Sequence, residues 1–486
     1  MFYFFYTHKK LVFVLLLLFL INIFTYVFIW VKLPFAPDVI PLWYSMPKGD
    51  KILSSAKTLY TIPFLMTWIF LSLNLITSKF VKTQKQLAYP FFVFAIISYV
   101  YLLWSLNIIT NKFLFLAPAI IPDEYKSLLF PFVITFAISY FITPLSIKFI
   151  KFIGAVDNPA KHNHPAMLIK KIVPRGGSIP FIIAFVLGVA IFMGFPKKIL
   201  GIVIGALIAS IIAVIDDKFD LNRNLRLLVL LPIAILVIIA SGVGFFYFNN
   251  PLGGTIQLDS IIFPIQFFGT HYIVLFADIF TFFWFLWVAN MINWSSGVDG
   301  QFAGIAGITA LVIGLISIKV VKIDPEQFQT ALLAVIASGA ILGLAPHTWY
   351  PQKLMWGFGT TAVGLIIASL SVLTNAKVAT AVLILLVPTL DAVLVMIRRI
   401  MQKRLPTWGD RAHLHHYLLD KKGWSIPQIA GFYWGMTAFT GLLALFTAGK
   451  TKLLALIIVG GLVAYLLSVV HYGFFKEWKK ANGKNS

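Results

Sequence analysis

An all-α, polytopic integral membrane protein with a helical bundle of about 14 transmembrane helices is the fold that the sequence predicts, and three observations predict it. Of 486 residues, 60% are hydrophobic and 12% charged, with a mean hydropathy of +0.91, which leaves too little polar surface to clothe a fold in water. Apolar runs near 20 residues recur along the chain, and a helix of about that length crosses a hydrocarbon core about 30 Å thick. The alternating pattern of an outer-membrane barrel is missing, so helices are the remaining way to satisfy backbone groups in lipid.

The expected spans begin near 11, 59, 88, 127, 178, 199, 225, 273, 302, 329, 358, 378, 428 and 452. The first follows Lys9 and Lys10; it is too long for a signal peptide and lacks a small-residue cleavage site, so it reads as an uncleaved helix. Residues 1–126 hold three spans without a polar constellation and read as an accessory membrane region. Residues 127–473 form the expected core, of about 11 spans, and 474–486 a basic tail. The segments 32–58 and 244–272 carry Pro and Gly and are expected to be re-entrant or short extended pieces. No internal repeat is visible.

A net charge of +22 would point to nucleic acid in a soluble protein, but here Lys and Arg sit in short loops between apolar runs. With the N-terminus in the cytoplasm, about 26 of them fall on that side and about 13 on the other, and this bias sets the orientation. The expectation is an inner (plasma) membrane protein surrounded by lipid, with no nucleic-acid partner. The chain has no cysteine, which excludes disulfides, thiolate metal sites and cysteine nucleophiles.

Four polar clusters carry the chemistry. At the end of the span near 199 stands Asp216-Asp217-Lys218-Phe219-Asp220-Leu221. Paired acids at a helix C-terminus face the negative pole of the backbone and repel each other, so they ask for a cation; a hard ion such as Mg²⁺ takes oxygen ligands and bridges well to phosphate. Solvated loop acids are the plainer alternative. Asn290 and Asn293 close the span near 273 and lie on one helix face; the Trp294–Gly300 turn that follows, with Gly297, Asp299 and Gly300, brings backbone N–H groups within reach of a phosphate or simply caps a helix. The basic loop after the span near 378 holds Asp410, Arg411, His413, His415 and His416. Mg²⁺ does not favour imidazole, so this cluster suits a diphosphate. Pro174-Arg175-Gly176-Gly177 lies in an earlier basic loop with His162 and His164 upstream; Arg175 can clamp phosphate or merely anchor the loop. Asp391, inside a span, requires a buried partner and reads as structural. The charge bias alone puts Arg175, Asp216, Asp217, Asn293, Asp299 and His413 at the cytoplasmic ends of different helices.

These motifs, in this order over about residues 127–473, resemble the polyprenyl-phosphate N-acetylhexosamine-1-phosphate transferases, the membrane glycosyltransferase family 4 type. Pro174–Gly177 resembles the family's Pro-Arg-Gly-Gly loop, Asp216-Asp217 its double aspartate, and Asn290–Gly300 its Asn-x-x-Asn-x-x-Asp-Gly-x-Asp-Gly stretch. Asp410–His416 is similar to the Asp-Arg-x-His-x-His-His loop of the O-antigen and teichoic-acid initiating branch. The resemblance implies transfer of a sugar-1-phosphate from a UDP-N-acetylhexosamine to polyprenyl phosphate, most simply undecaprenyl phosphate, with release of UMP. It implies Mg²⁺ as cofactor, held by Asp216, Asp217 and Asp299, which with His413 form the expected catalytic set. It also implies substrate contacts from Arg175, Asn290, Asn293, Arg411, His415 and His416, and it leaves room for a homodimer.

Two positions depart from the family pattern: Ser296 replaces the first aspartate of Asp-Gly-x-Asp-Gly, and Met355-Trp356-Gly357-Phe358-Gly359-Thr360 stands for Gly-Asp-x-Gly-Ser without an acid. The resemblance makes that missing acid a metal ligand in relatives. The alternative expectation is a relative that binds the same ligands without turnover; a transporter would instead gather its polar residues at the membrane midplane.

Overall fold

Helix occupies all fourteen apolar runs in the computed structural model, which describes residues 9–33, 39–44, 51–80, 85–113, 123–158, 171–249, 254–266, 270–374, 377–405, 411, 413–447 and 449–482. His162, His164 and Asp410 lie outside the described residues. The chain divides into two compact units, Met1–Asp123 and Glu124–Ser486.

In the first unit, helices α1 (Lys9–Lys32), α2 (Thr61–Phe80) and α3 (Lys85–Phe113) accompany a hairpin of β1 (Val39–Tyr44) and β2 (Lys51–Ser55), with Val39 opposite Ser55. Its core gathers Leu18, Ile29, Leu59, Met66 and Tyr99. The Tyr99 hydroxyl donates to the Met66 carbonyl at 2.8 Å, so a buried phenol is satisfied.

The second unit opens with α4 (Asp123–Phe152), the two-residue pair β3 (Val156–Asp157) and β4 (Val173–Pro174), α5 (Ser178–Phe192) and α6 (Lys197–Phe219). A π-helical turn, Arg226–Leu230, runs into α7 (Leu231–Ala240). The Pro- and Gly-bearing segment that follows forms two antiparallel hairpins, β5 (Tyr247–Asn249) with β6 (Thr255–Gln257) and β7 (Ile262–Gln266) with β8 (Thr270–Val274), in keeping with the short extended pieces expected there. Then come α8 (Leu275–Trp294), α9 (Gln301–Lys319), α10 (Gln327–Gly343), α11 (Thr360–Leu373), α12 (Lys377–Ile384), α13 (Leu386–Met401), α14 (Leu414–Asp420), α15 (Ile426–Phe446) and α16 (Gly449–Asn482).

Helices α9 and α10 are apolar on every face, as suits the most enclosed of the eight long spans, packing on each other, with α9 also against α15. Outer helices instead expose Phe141, Phe219, Leu228 and Ile457, a surface that suits lipid and would aggregate in water. Eight of the described helices are long and apolar enough to cross a membrane unaided, and nine if the bent pair α12 and α13 counts as one span; α5 and α11 are among the shorter apolar helices.

Prolines shape two of the spans. Pro144 deprives the Tyr140 carbonyl of its helical donor, and His347 Nε2 lies 3.1 Å from that oxygen in its place. Pro388 does the same to Ile384, whose carbonyl accepts from the Thr440 hydroxyl at 3.0 Å. There the span near 378 departs from the straight helix expected: α12 and α13 meet at 87°.

Candidate active site

The last turn of α6 delivers Asp216 and Asp217, both buried. Asp220 ends the helix in a left-handed conformation (φ 49°), and this reversal lets the Leu221 N–H donate to Asp216 Oδ1 at 3.0 Å. Two guanidinium groups oppose the two carboxylates. Arg226 Nη1 lies 2.7 Å from Asp216 Oδ2, Arg175 Nε 2.9 Å from Asp217 Oδ1, and Arg175 Nη2 3.9 Å from Asp216 Oδ2.

Backbone pairing puts Arg175 there. The Met355 N–H donates to the Pro174 carbonyl, and the Gly176 and Gly177 N–H groups both donate to the Met355 carbonyl, so the 173–177 strand is zipped onto the 355–360 turn. Within that turn Gly357 has φ 58°, and a Cβ there would overlap the Asp217 carboxylate. The next N–H, that of Phe358, donates to Asp217 Oδ1 at 3.0 Å, and Arg226 lies over the Phe358 ring at 5.0 Å. Thr360 Oγ1 donates to Asn293 Oδ1, joining the turn to the end of α8.

Of the two asparagines only Asn293 reaches another element; the Asn290 amide donates back to Leu286 of its own helix. In the turn beyond, Asp299 Oδ2 accepts from the Gln352 N–H at 3.1 Å, and burial pushes the Asp299 carboxyl above its ordinary range. Gly297 abuts the His415 ring so closely that a Cβ would overlap it, which couples this turn to the His loop. His415 is buried, stacks on His413 (5.5 Å, 4° between planes) and touches His416 (4.3 Å). His413 Nδ1 lies 2.9 Å from Asp391 Oδ2, and the Leu414 N–H donates to Asp391 Oδ1 at 3.0 Å. An ionised carboxylate only accepts, so Nδ1 carries a proton and the ring is held in one orientation.

One run of contacts therefore links Arg175, Asp216, Asp217, Asn293 and, through the turn after α8, His413 and His415. Arg411 differs: it forks onto Asp420 at the surface (Nε 2.9 Å, Nη2 2.8 Å). One contributor escaped the sequence, and one signal in it found its answer. Arg226 has the look of any positive-inside residue at the mouth of a span, and no signal separated it. Asp391 had announced a need for a partner, and the partner is the His loop.

The donor set bears directly on Mg²⁺. Both oxygens of Asp216 and one of Asp217 already accept from N–H groups or pair with guanidinium, leaving Asp217 Oδ2 as the buried oxygen without a hydrogen bond. Asp299 is engaged by Gln352, and among the described residues no group of three His or acidic side chains can hold a metal. Two guanidinium charges next to the pair repel a dication. The trio Asp216, Asp217 and Asp299 does not fit Mg²⁺ as a ligand cage.

Gly297→Ala is expected to eject His415 from its slot and cut turnover about tenfold or more, as misplacement of a positioning group does; steady-state kinetics with intact thermal unfolding checks it. Burial, then the neighbouring His416 and His413, holds the His415 imidazole well below its ordinary pKa. The unfolded chain therefore takes up a proton that the folded chain refuses, so stability contributed by neutral His415 falls as pH drops below about 6.5. Asp299, raised by burial, titrates with the opposite sign from about 3.9 upward. Thermal unfolding in detergent should lose part of its acid sensitivity in His415→Asn.

The sequence profile of glycosyl transferase family 4 matches residues 199–375. The chain is 28% identical over 297 residues to the probable undecaprenyl-phosphate N-acetylglucosaminyl 1-phosphate transferase of Bacillus subtilis, covering 59% of this chain and 76% of that protein. It is 26% identical over 324 residues to the decaprenyl-phosphate N-acetylglucosaminephosphotransferase of Mycolicibacterium smegmatis (59% and 73% covered). The phospho-N-acetylmuramoyl-pentapeptide-transferase of Enterococcus faecalis is 23% identical over 330 residues (64% and 96% covered).

Proposed function

Because the chain belongs to the polyprenyl-phosphate sugar-1-phosphate transferases of glycosyl transferase family 4, we propose that it moves an N-acetylhexosamine-1-phosphate from a UDP-sugar onto polyprenyl phosphate, undecaprenyl phosphate by analogy with the Bacillus relative, at the cytoplasmic face of the plasma membrane. An oxygen of the lipid phosphate bonds to the sugar-bearing phosphorus, the bond from that phosphorus to UMP breaks, and UMP departs with the bonding electron pair. The lipid phosphate is already an anion near neutral pH, so the reaction asks for positioning and charge stabilisation more than for a strong base.

The run of contacts from Arg175 through Asp216 and Asp217 to Asn293 and His413 is the observation that carries this reading. Asn293, held by Thr360, and Asp299, held by Gln352, would orient the nucleotide-sugar. His413, aligned by Asp391, and the neighbouring His415 and His416 would line the diphosphate. Since the acids here do not fit Mg²⁺, no step is assigned to the ion. The test is purified protein with undecaprenyl phosphate and a panel of radiolabelled UDP-sugars. Lipid-linked product and stoichiometric UMP are expected for at least one sugar; ligand binding without product from any would establish the non-catalytic alternative, which the acid-free 355–360 turn favours.

A further inference from the structure

The two carboxylates of the double aspartate have no exposed side-chain surface, whereas Arg175 and Arg226 are 21% and 19% exposed. What side-chain surface the cluster exposes therefore belongs to the two arginines, whose Nε atoms are buried, with the acids as a wall behind them. Arg175 Nη2 and Arg226 Nη1 both approach Asp216 Oδ2, so the two cations lie side by side. Each holds further N–H groups beyond those directed at the acids, in a fork suited to phosphate oxygens. Independently, the sequence has no acid in the 355–360 turn, and the structure shows the Asp217 carboxylate occupying the space over Gly357 that a side chain there would need.

We propose that this site has inverted polarity: Arg175 and Arg226, backed by Asp217 and Asp216, bind a substrate phosphate directly and take over the charge compensation that a divalent cation would give. The ligand class is a phosphate anion, either the diphosphate of the nucleotide-sugar or the monophosphate of the lipid. This inference rests on the proposed function for the identity of those two sources.

The experiment measures calorimetric binding of UDP, farnesyl phosphate and uridine to the detergent-purified full chain, in EDTA and in excess MgCl₂, with Mn²⁺ binding followed by electron paramagnetic resonance. Affinity for UDP and farnesyl phosphate should differ by no more than about twofold between EDTA and Mg²⁺, with no stoichiometric protein-bound Mn²⁺. Arg175→Gln and Arg226→Gln should weaken at least one phosphate ligand about tenfold or more, leaving uridine binding unchanged as the report of an intact fold, and Arg226→Lys should lose less than Arg226→Gln. A loss for UDP assigns the pair to the nucleotide and a loss for farnesyl phosphate assigns it to the lipid. Phosphate binding that requires Mg²⁺, a stoichiometric Mn²⁺ site, or no effect of either glutamine variant overturns the inference and leaves the transferase reading standing. Absence of UDP and farnesyl phosphate binding under both conditions overturns the transferase reading, and this inference with it.

Discussion

An Asp217→Ala chain is expected to lose about 3–5 kcal/mol of stability, because the Arg175 guanidinium keeps its largely enclosed position without its closest counter-charge and the Phe358 N–H loses its acceptor. Transfer activity should fall by about 10²-fold or more, since the group that aims Arg175 is gone. Thermal unfolding in detergent and the lipid-product assay read the two effects separately. Gly357→Ala alone should be nearly as damaging, through its positive φ and its overlap with the carboxylate. In the Asp217→Ala background, however, the overlap partner has been removed, so the double variant should be more stable than the sum of the two single losses implies. Simple additivity would mean that Gly357 and Asp217 do not compete for one space.

Asp391→Ala carries the second large effect. His413 Nδ1 and the Leu414 N–H both lose their acceptor in a buried setting, at a cost of about 1–3 kcal/mol for each unsatisfied group. With the ring no longer held in one orientation, turnover should drop by about 10²-fold. Asp391→Asn removes the charge with little change of shape: its side-chain oxygen can still accept from one of the two donors, so the stability loss should be about half that of Asp391→Ala while the pH profile of kcat moves. An unchanged profile would assign Asp391 to packing alone.

Much of the architecture was legible because lipid imposes a simple rule. Apolar runs such as Lys197–Phe219 and Gln301–Lys319 must become helices, and their limits follow from the flanking charges. The ends of those runs also gave Asp216, Asp217, Asn293 and the histidines, since a polar residue at the edge of an apolar run has few structural reasons to be there. Long-range pairing was not legible. Nothing in local spacing says that Arg226 turns toward Asp216 ten residues earlier, that Met355 is zipped to Pro174, or that His415 fills the space left by Gly297; these are decisions of tertiary packing. The break before Pro388 was half visible, since the proline marks a lost donor, but a bend of 87° also needed Thr440 to serve the freed carbonyl.

That bend limits how deeply this part of the chain runs along one direction. The eight residues of α12 advance only about 12 Å along their axis, less than half of a hydrocarbon layer about 30 Å deep, and α13 then leaves at nearly a right angle to it. The span thus descends like a stair tread, and the Asp391–His413 pair rests on that step.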